Sequence, residues 1–241
     1  MGIKIPKIAN AARLGLAAGL GFLSCLLFVV VRFGLTGHFM QGYLIWNLFL
    51  AIIPAGIASL GNEYANRLAA IGKKPTSSIV LGIFFVWLIF YPNSPYIFTD
   101  FIHVVRRAGL GRLTASWLSE YDLLWYDIVM NSAFAFTGHY FGLVSIYTIH
   151  AVMSRQYGRF SGWLMLLPPI ILSGFGIHLG RFSRFNSWDL VLHPIATSKI
   201  IMRSLKAPAA LLFSMAFSLF IALSYIVFYL LKNDASTKRA E

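Results

Sequence analysis

Long stretches without a formal charge constrain this chain more than any other feature of it. Leu14–Val31, Phe39–Leu60, Phe160–Gly180 and Pro208–Leu231 contain no Asp, Glu, Lys or Arg. A bilayer core of about 30 Å is crossed by roughly 20 apolar residues in a helix. Backbone N–H and C=O groups find no water there, so each stretch must satisfy its own by forming a helix. Composition agrees: 58% of the 241 residues are hydrophobic and only 12% are charged, about half the charge of a soluble domain. The expected fold is an all-α, polytopic membrane helix bundle.

In chain order the reading is one integral membrane domain, residues 1–241, with a short basic segment 1–13 and a charged tail 232–241. The run Leu14–Val31 is longer than the ~7–15 residue core of a secretory signal and no small-x-small cleavage site follows, so it is a retained first span. Phe39–Leu60 is the second, with Pro54 as a kink and Asn47 as its one strongly polar interior residue. Ser77–Tyr91 is the third and gives only about 22 Å of helix. The capping-box pattern Ser119-Glu-Tyr-Asp122 opens a long fourth helix, about Tyr121–Met153. Phe160–Gly180, bent at Pro168-Pro169, and Pro208–Leu231 complete about six spans. Leu190–Lys206 is too interrupted to cross and fits an amphipathic piece in the membrane interface.

Net charge is +12. The basic residues lie in short segments between apolar runs, which points to anionic lipid headgroups as partners rather than nucleic acid. Eleven Lys and Arg fall on the side of the N-terminus and nine on the other, which favours an inward N-terminus by a thin margin. The single cysteine, Cys25, can form no intrachain disulfide or cysteine-based zinc site, and fits packing.

Polar residues concentrate in three places. The first is Tyr91-Pro-Asn-Ser-Pro-Tyr-Ile-Phe-Thr-Asp-Phe-Ile-His103, where Pro92 and Pro95 should break the third helix and expel Tyr91 and Ser94 from helical backbone. Interrupted membrane helices are common binding sites, with freed backbone groups and nearby side chains to hold a ligand. Asn93 and Tyr96 are candidate binding residues, and Asp100 and His103, one turn apart, could relay a proton or hold a divalent metal. The second place is the fourth helix, where Asp127, Asn131, Gly138 and Ser145 share one small, polar face. An intramembrane acid such as Asp127 is a functional candidate by default; its competing role is helix-start electrostatics. His139 and His150 lie on another stripe and fit helix–helix hydrogen bonding.

The third place holds His178, Arg181, Arg184, Asn186 and Asp189. Two arginines three apart can grip a phosphate or carboxylate by forked hydrogen bonds, or reach headgroups by snorkelling. Asp189-x-x-x-His193 has metal-ligand spacing, but Pro194 disfavours helix at His193. An even number of spans between the first and third clusters puts both at one membrane face. The expectation is one pocket with Asp100, Asp127 and Arg181 nearest each other.

The Tyr91–His103 stretch, Trp125-Tyr-Asp127, and Gly176-Ile-His-Leu-Gly-Arg-Phe-Ser-Arg-Phe-Asn-Ser-Trp-Asp189 together resemble the family catalogued as domain-of-unknown-function 1361, over about Phe39–Phe228. The resemblance implies a multi-pass protein of the bacterial inner membrane and brings no reaction. Three uses of the pocket stay open. A membrane enzyme acting on a lipid or lipid-linked phosphate would hold the anion with Arg181 and Arg184, helped by Asn93, Tyr96, Asn186 and Asp189. Asp100, His103, Asp127 and His178 would be its acids, bases or metal ligands. A small-solute or proton-coupled transporter would use the broken helix and Asp127. A structural or assembly partner would use the cluster only to lock helices.

Overall fold

The computed structural model describes residues 8–107, 118–183 and 189–237, and among them every regular element is helical. The helices are α1 (Ile8–Thr36), α2 (Gly42–Ala70), α3 (Ser77–Phe90), α4 (Asn93–Tyr96), α5 (Phe101–Arg107) and α6 (Glu120–Tyr157). They continue with α7 (Arg159–Leu164), α8 (Leu167–Ser183), α9 (Asp189–Leu192), α10 (Pro194–Leu205) and α11 (Pro208–Thr237). Among the described residues five segments are long and apolar enough to cross a membrane: Gly15–Thr36, Gly42–Ala70, Ser77–Arg106, Arg159–Ser183 and Pro208–Asn233. The chain is a multi-helix membrane protein by that measure. The sixth long helix, α6, has 38 residues, about 57 Å. It is less apolar because its polar residues turn inward: Asn131, Ser145 and His150 are all buried.

The third span is interrupted as expected, but more gently. The α-helix stops at Phe90, and a short helix, a 3-10 turn (Ile97–Asp100) and α5 follow. Tyr91 nevertheless keeps helical dihedrals (φ −56°, ψ −38°), and its N–H still reaches the Trp87 carbonyl. Ser94 lies inside α4. The steric bias of a proline against helix in the preceding residue is a preference, and here the continuing helical path outweighs it. What is interrupted is the hydrogen-bond ladder, while the chain keeps its direction of winding.

The chain divides into two compact units. The α1 unit comprises Pro6–Ile52 and Asn93–Phe141. Its core is Cys25 and Val29 of α1, Leu44 and Leu48 of α2, Ile97, and Met130, Phe134 and Ala135 of α6. Cys25 is fully buried, with its sulfur 3.6 Å from the Thr137 hydroxyl, a packing role. Gly138 lies against Ile97 and Ala51, where a Cβ would come within 3.0–3.3 Å of both. That close approach explains a small residue on the inward stripe of α6.

Among the described residues the α11 unit comprises Ile53–Pro92 and those from Gly142 onward. Its tightest contact joins α8 to α11: a Cβ on Gly174 would overlap the Ser214 carbonyl and the Ser218 hydroxyl. Ser218 donates to the Ile170 carbonyl at 3.2 Å across the same seam. His150 of α6 shares a 2.6 Å hydrogen bond with the Tyr225 hydroxyl of α11, and Trp163 and Tyr229 pack around it. Trp87 donates to Ser145 at 3.3 Å, which ties α3 to α6. At the end of α6, Arg155 donates to Asn62 and Asn66 of α2, and Gln156 reaches the Pro75 carbonyl and Ser77.

Candidate functional site

The polar centre of the α1 unit is built on a residue that a hydropathy reading places outside the membrane. Arg32 ends the first charge-free run, yet α1 continues through it to Thr36. Gly37 then closes the helix with φ 68°, its N–H on the Phe33 carbonyl at 2.7 Å. Left-handed backbone of this kind is open to glycine without a Cβ penalty. Arg32 is thus a helical, inward-facing side chain, only 5% exposed.

Its guanidinium grips Asp127 at two points, Nε to Oδ1 at 2.6 Å and Nη2 to Oδ2 at 3.1 Å. The third nitrogen, Nη1, donates to the Thr36 hydroxyl at 2.9 Å, and that hydroxyl donates to the Arg32 carbonyl. Two-point geometry is what a planar guanidinium offers a carboxylate and an ammonium does not. A buried ion pair is stable only when its remaining donors and acceptors are also matched, and Thr36 takes the guanidinium donor that Asp127 leaves over. Asn131 donates to the Asp127 carbonyl at 2.7 Å, and the Tyr43 hydroxyl meets Asn131 Oδ1 at 3.5 Å.

One turn before His103, Asp100 is 1% exposed and accepts from Asn47 Nδ2 at 2.6 Å. The His103 ring lies against Tyr43, centroids 4.4 Å apart. Arg32, Gln41, Tyr43, His103, Asp127 and Asn131 line a crevice of about 10 Å³, closed by Met40, Val104 and Met130. That volume suits one water molecule, given polar partners around it. His103 and Asp127, expected as site residues, both line this cavity, and Asp100 is held by Asn47 one turn before His103. Asn93 and Tyr96 lie on the short helix α4 of the same unit, half-buried.

The remaining expected residues belong to the α11 unit. His178 stacks on Phe182 (4.8 Å) and meets Phe213 edge-on (5.8 Å). Arg181 is in the last turn of α8, half-buried. Asp189 opens α9, and its carbonyl accepts from the Thr197 hydroxyl at 3.0 Å. His193 is non-helical (φ −134°, ψ 56°) ahead of Pro194, while its N–H still reaches the Asp189 carbonyl at 2.9 Å. Arg184 and Asn186 lie outside the described residues. Among the described residues no group of three or more His, Cys, Asp or Glu gathers where a metal could be held.

Arg32 is the functional candidate that sequence reasoning missed. The expected grouping is Asp100, Asp127 and Arg181; the cation paired with Asp127 is Arg32. The available signal was an arginine within one turn of an apolar run, with Thr36 four residues on to receive it.

A family model described as "Protein of unknown function (DUF1361)" matches residues 46–224. No curated protein and no solved structure matches the chain.

Proposed function

We propose, for a chain that belongs to the DUF1361 family and takes no activity from that membership, a proton-handling role in a multi-pass inner-membrane protein. Of the three uses considered, this favours proton-coupled transport. One observation carries the reading: an ion pair, an imidazole and two side-chain amides surround a crevice the size of a water molecule. Intramembrane acids and histidines in contact with a polar cavity are the usual parts of a proton path. A proton delivered to Asp127 through a water in that crevice weakens its attraction to Arg32 and leaves the guanidinium held by Thr36. His103 lines the same crevice as Asp127, so its imidazole can accept or pass on the same proton.

Arg32 speaks against using this crevice to grip a phosphate, because all three of its nitrogens already donate to Asp127 or Thr36. A lipid-phosphate enzyme would need another cation, and Arg181 is the candidate. The test is proton entry into liposomes of phosphatidylethanolamine and phosphatidylglycerol holding a trapped pH dye. An imposed potential drives entry, with panels of amino acids, sugars, nucleosides and organic acids added outside. Wild type should acidify the lumen with at least one class, and Asp127→Asn and His103→Gln should not. Equal traces from wild type, both variants and protein-free liposomes across the panel would sink the reading.

A further inference from the structure

The segment between α8 and α11 carries a surface that the crevice does not explain. Helix α10 has 12 residues, about 18 Å, too short to cross a core of about 30 Å. At 100° per residue its side chains sort into three stripes. Thr197 and Ser204 are buried, with Ile200 and Ile201 part-buried beside them, and this face packs toward α8, α9 and α11. Ile195 (73% exposed), Met202 (55%) and Leu205 (47%) form a second, outward apolar stripe. Lys199, Arg203 and the capping Lys206 form a third beside it, all exposed.

No acid occurs from Pro194 to Ala207, and among the described residues no carboxylate pairs with those three cations. Leu205 is followed after two residues by Pro208, the first residue of the apolar helix α11. The short helix is therefore tethered at the level where a membrane span begins.

We infer that α10 lies in the membrane interface and binds anionic phospholipid headgroups through Lys199, Arg203 and Lys206, with Ile195, Met202 and Leu205 in the acyl boundary. An exposed apolar stripe flanked by cations with no compensating acid is the pattern of a helix lying on an anionic surface. Charge complementarity selects the occupant, since zwitterionic headgroups offer no net attraction. Each Lys or Arg near such a surface contributes enough that losing all three should weaken binding roughly a hundredfold.

The experiment titrates the detergent-purified full chain with phosphatidylglycerol and phosphatidylcholine, each carrying a fluorescent acyl tail. Wild type should prefer phosphatidylglycerol. A Lys199→Gln/Arg203→Gln/Lys206→Gln variant should lose that preference, and Lys199→Arg/Lys206→Arg should retain it. A nitroxide attached at Met202→Cys in lipid nanodiscs should be accessible to oxygen and shielded from a water-soluble nickel complex. Three outcomes overturn the inference: no preference in wild type, preference kept in the triple Gln variant, or a nitroxide open to nickel. Competition by inorganic phosphate as effective as by the lipid also overturns it, by marking a site for a soluble anion. None of these readouts depends on the proton-handling reading.

Discussion

The two units meet the same physical problem with different means. Lipid tails are as apolar as leucine, so helices in a bilayer gain little from hydrophobic contact alone. They associate through close packing or through hydrogen bonds. The α11 unit combines hydrogen bonds such as His150 to Tyr225 with very close packing: Gly174 brings α8 against Ser214 and Ser218 of α11, and Gly162 brings α7 against Ser154 of α6. The α1 unit relies on charge and hydrogen bonds: Arg32 to Asp127, Asn47 to Asp100, Ser94 to the Ala51 carbonyl, Tyr126 to the Phe28 carbonyl. Close packing leaves no room for chemistry. A polar network leaves groups that can gain or lose a proton. The proposed proton-handling role rests on the network of the α1 unit.

The largest effect should come from breaking the packed seam. Gly174→Leu has no space against the Ser214 carbonyl, and overpacking of this kind costs about 3 kcal/mol or more. Thermal unfolding in detergent should show a large drop in midpoint or no folded protein. A near-native midpoint would mean that α8 and α11 are not held by close approach.

In the α1 unit, Asn47→Leu removes a donor from a carboxylate that is 1% exposed. Loss of such a bond costs about 2 kcal/mol. No change in midpoint would show that Asp100 does not depend on Asn47. A smaller loss, about 1 kcal/mol for one hydrogen bond, is expected for Tyr225→Phe, which releases His150 but keeps the ring. If Tyr225→Phe were costlier than Gly174→Leu, the division of labour between packing and hydrogen bonding would be reversed.

Which parts were legible in the sequence follows from how local their signals are. The capping box depends on neighbours only, and Ser119 and Asp122 bond reciprocally: the Ser119 N–H to Asp122 Oδ2 at 2.9 Å, the Asp122 N–H to Ser119 Oγ at 3.2 Å. The inward stripe of α6 was visible because a helix repeats every 3.6 residues; Asn131, Gly138 and Ser145 each meet a named partner. His150 was expected to bond another helix and does so through Tyr225. Arg32 was not legible, because a charge ends an apolar run in any hydropathy reading. Its partner is 95 residues away, and pairing at that range leaves no periodic trace. Asn47 stood out as polar, yet nothing local linked it to Asp100. The prolines mark where α3 ends, as expected, but Tyr91, expected outside helical backbone, keeps helical dihedrals.

The smallest stability effect is expected where the functional effect is largest. If the Arg32–Asp127 pair were only a lock, removing one partner would cost about 3–5 kcal/mol. A proton-handling site must tolerate a neutral Asp127 as part of its cycle, so Asp127→Asn should shift stability by less than about 1 kcal/mol. The most direct measurement pairs thermal unfolding of the purified Asp127→Asn variant in detergent with its proton entry into liposomes. The account predicts an unfolding midpoint near that of wild type and no acidification of the lumen. A loss of about 3–5 kcal/mol in stability, or acidification equal to wild type, would contradict it and leave the pair as a structural lock.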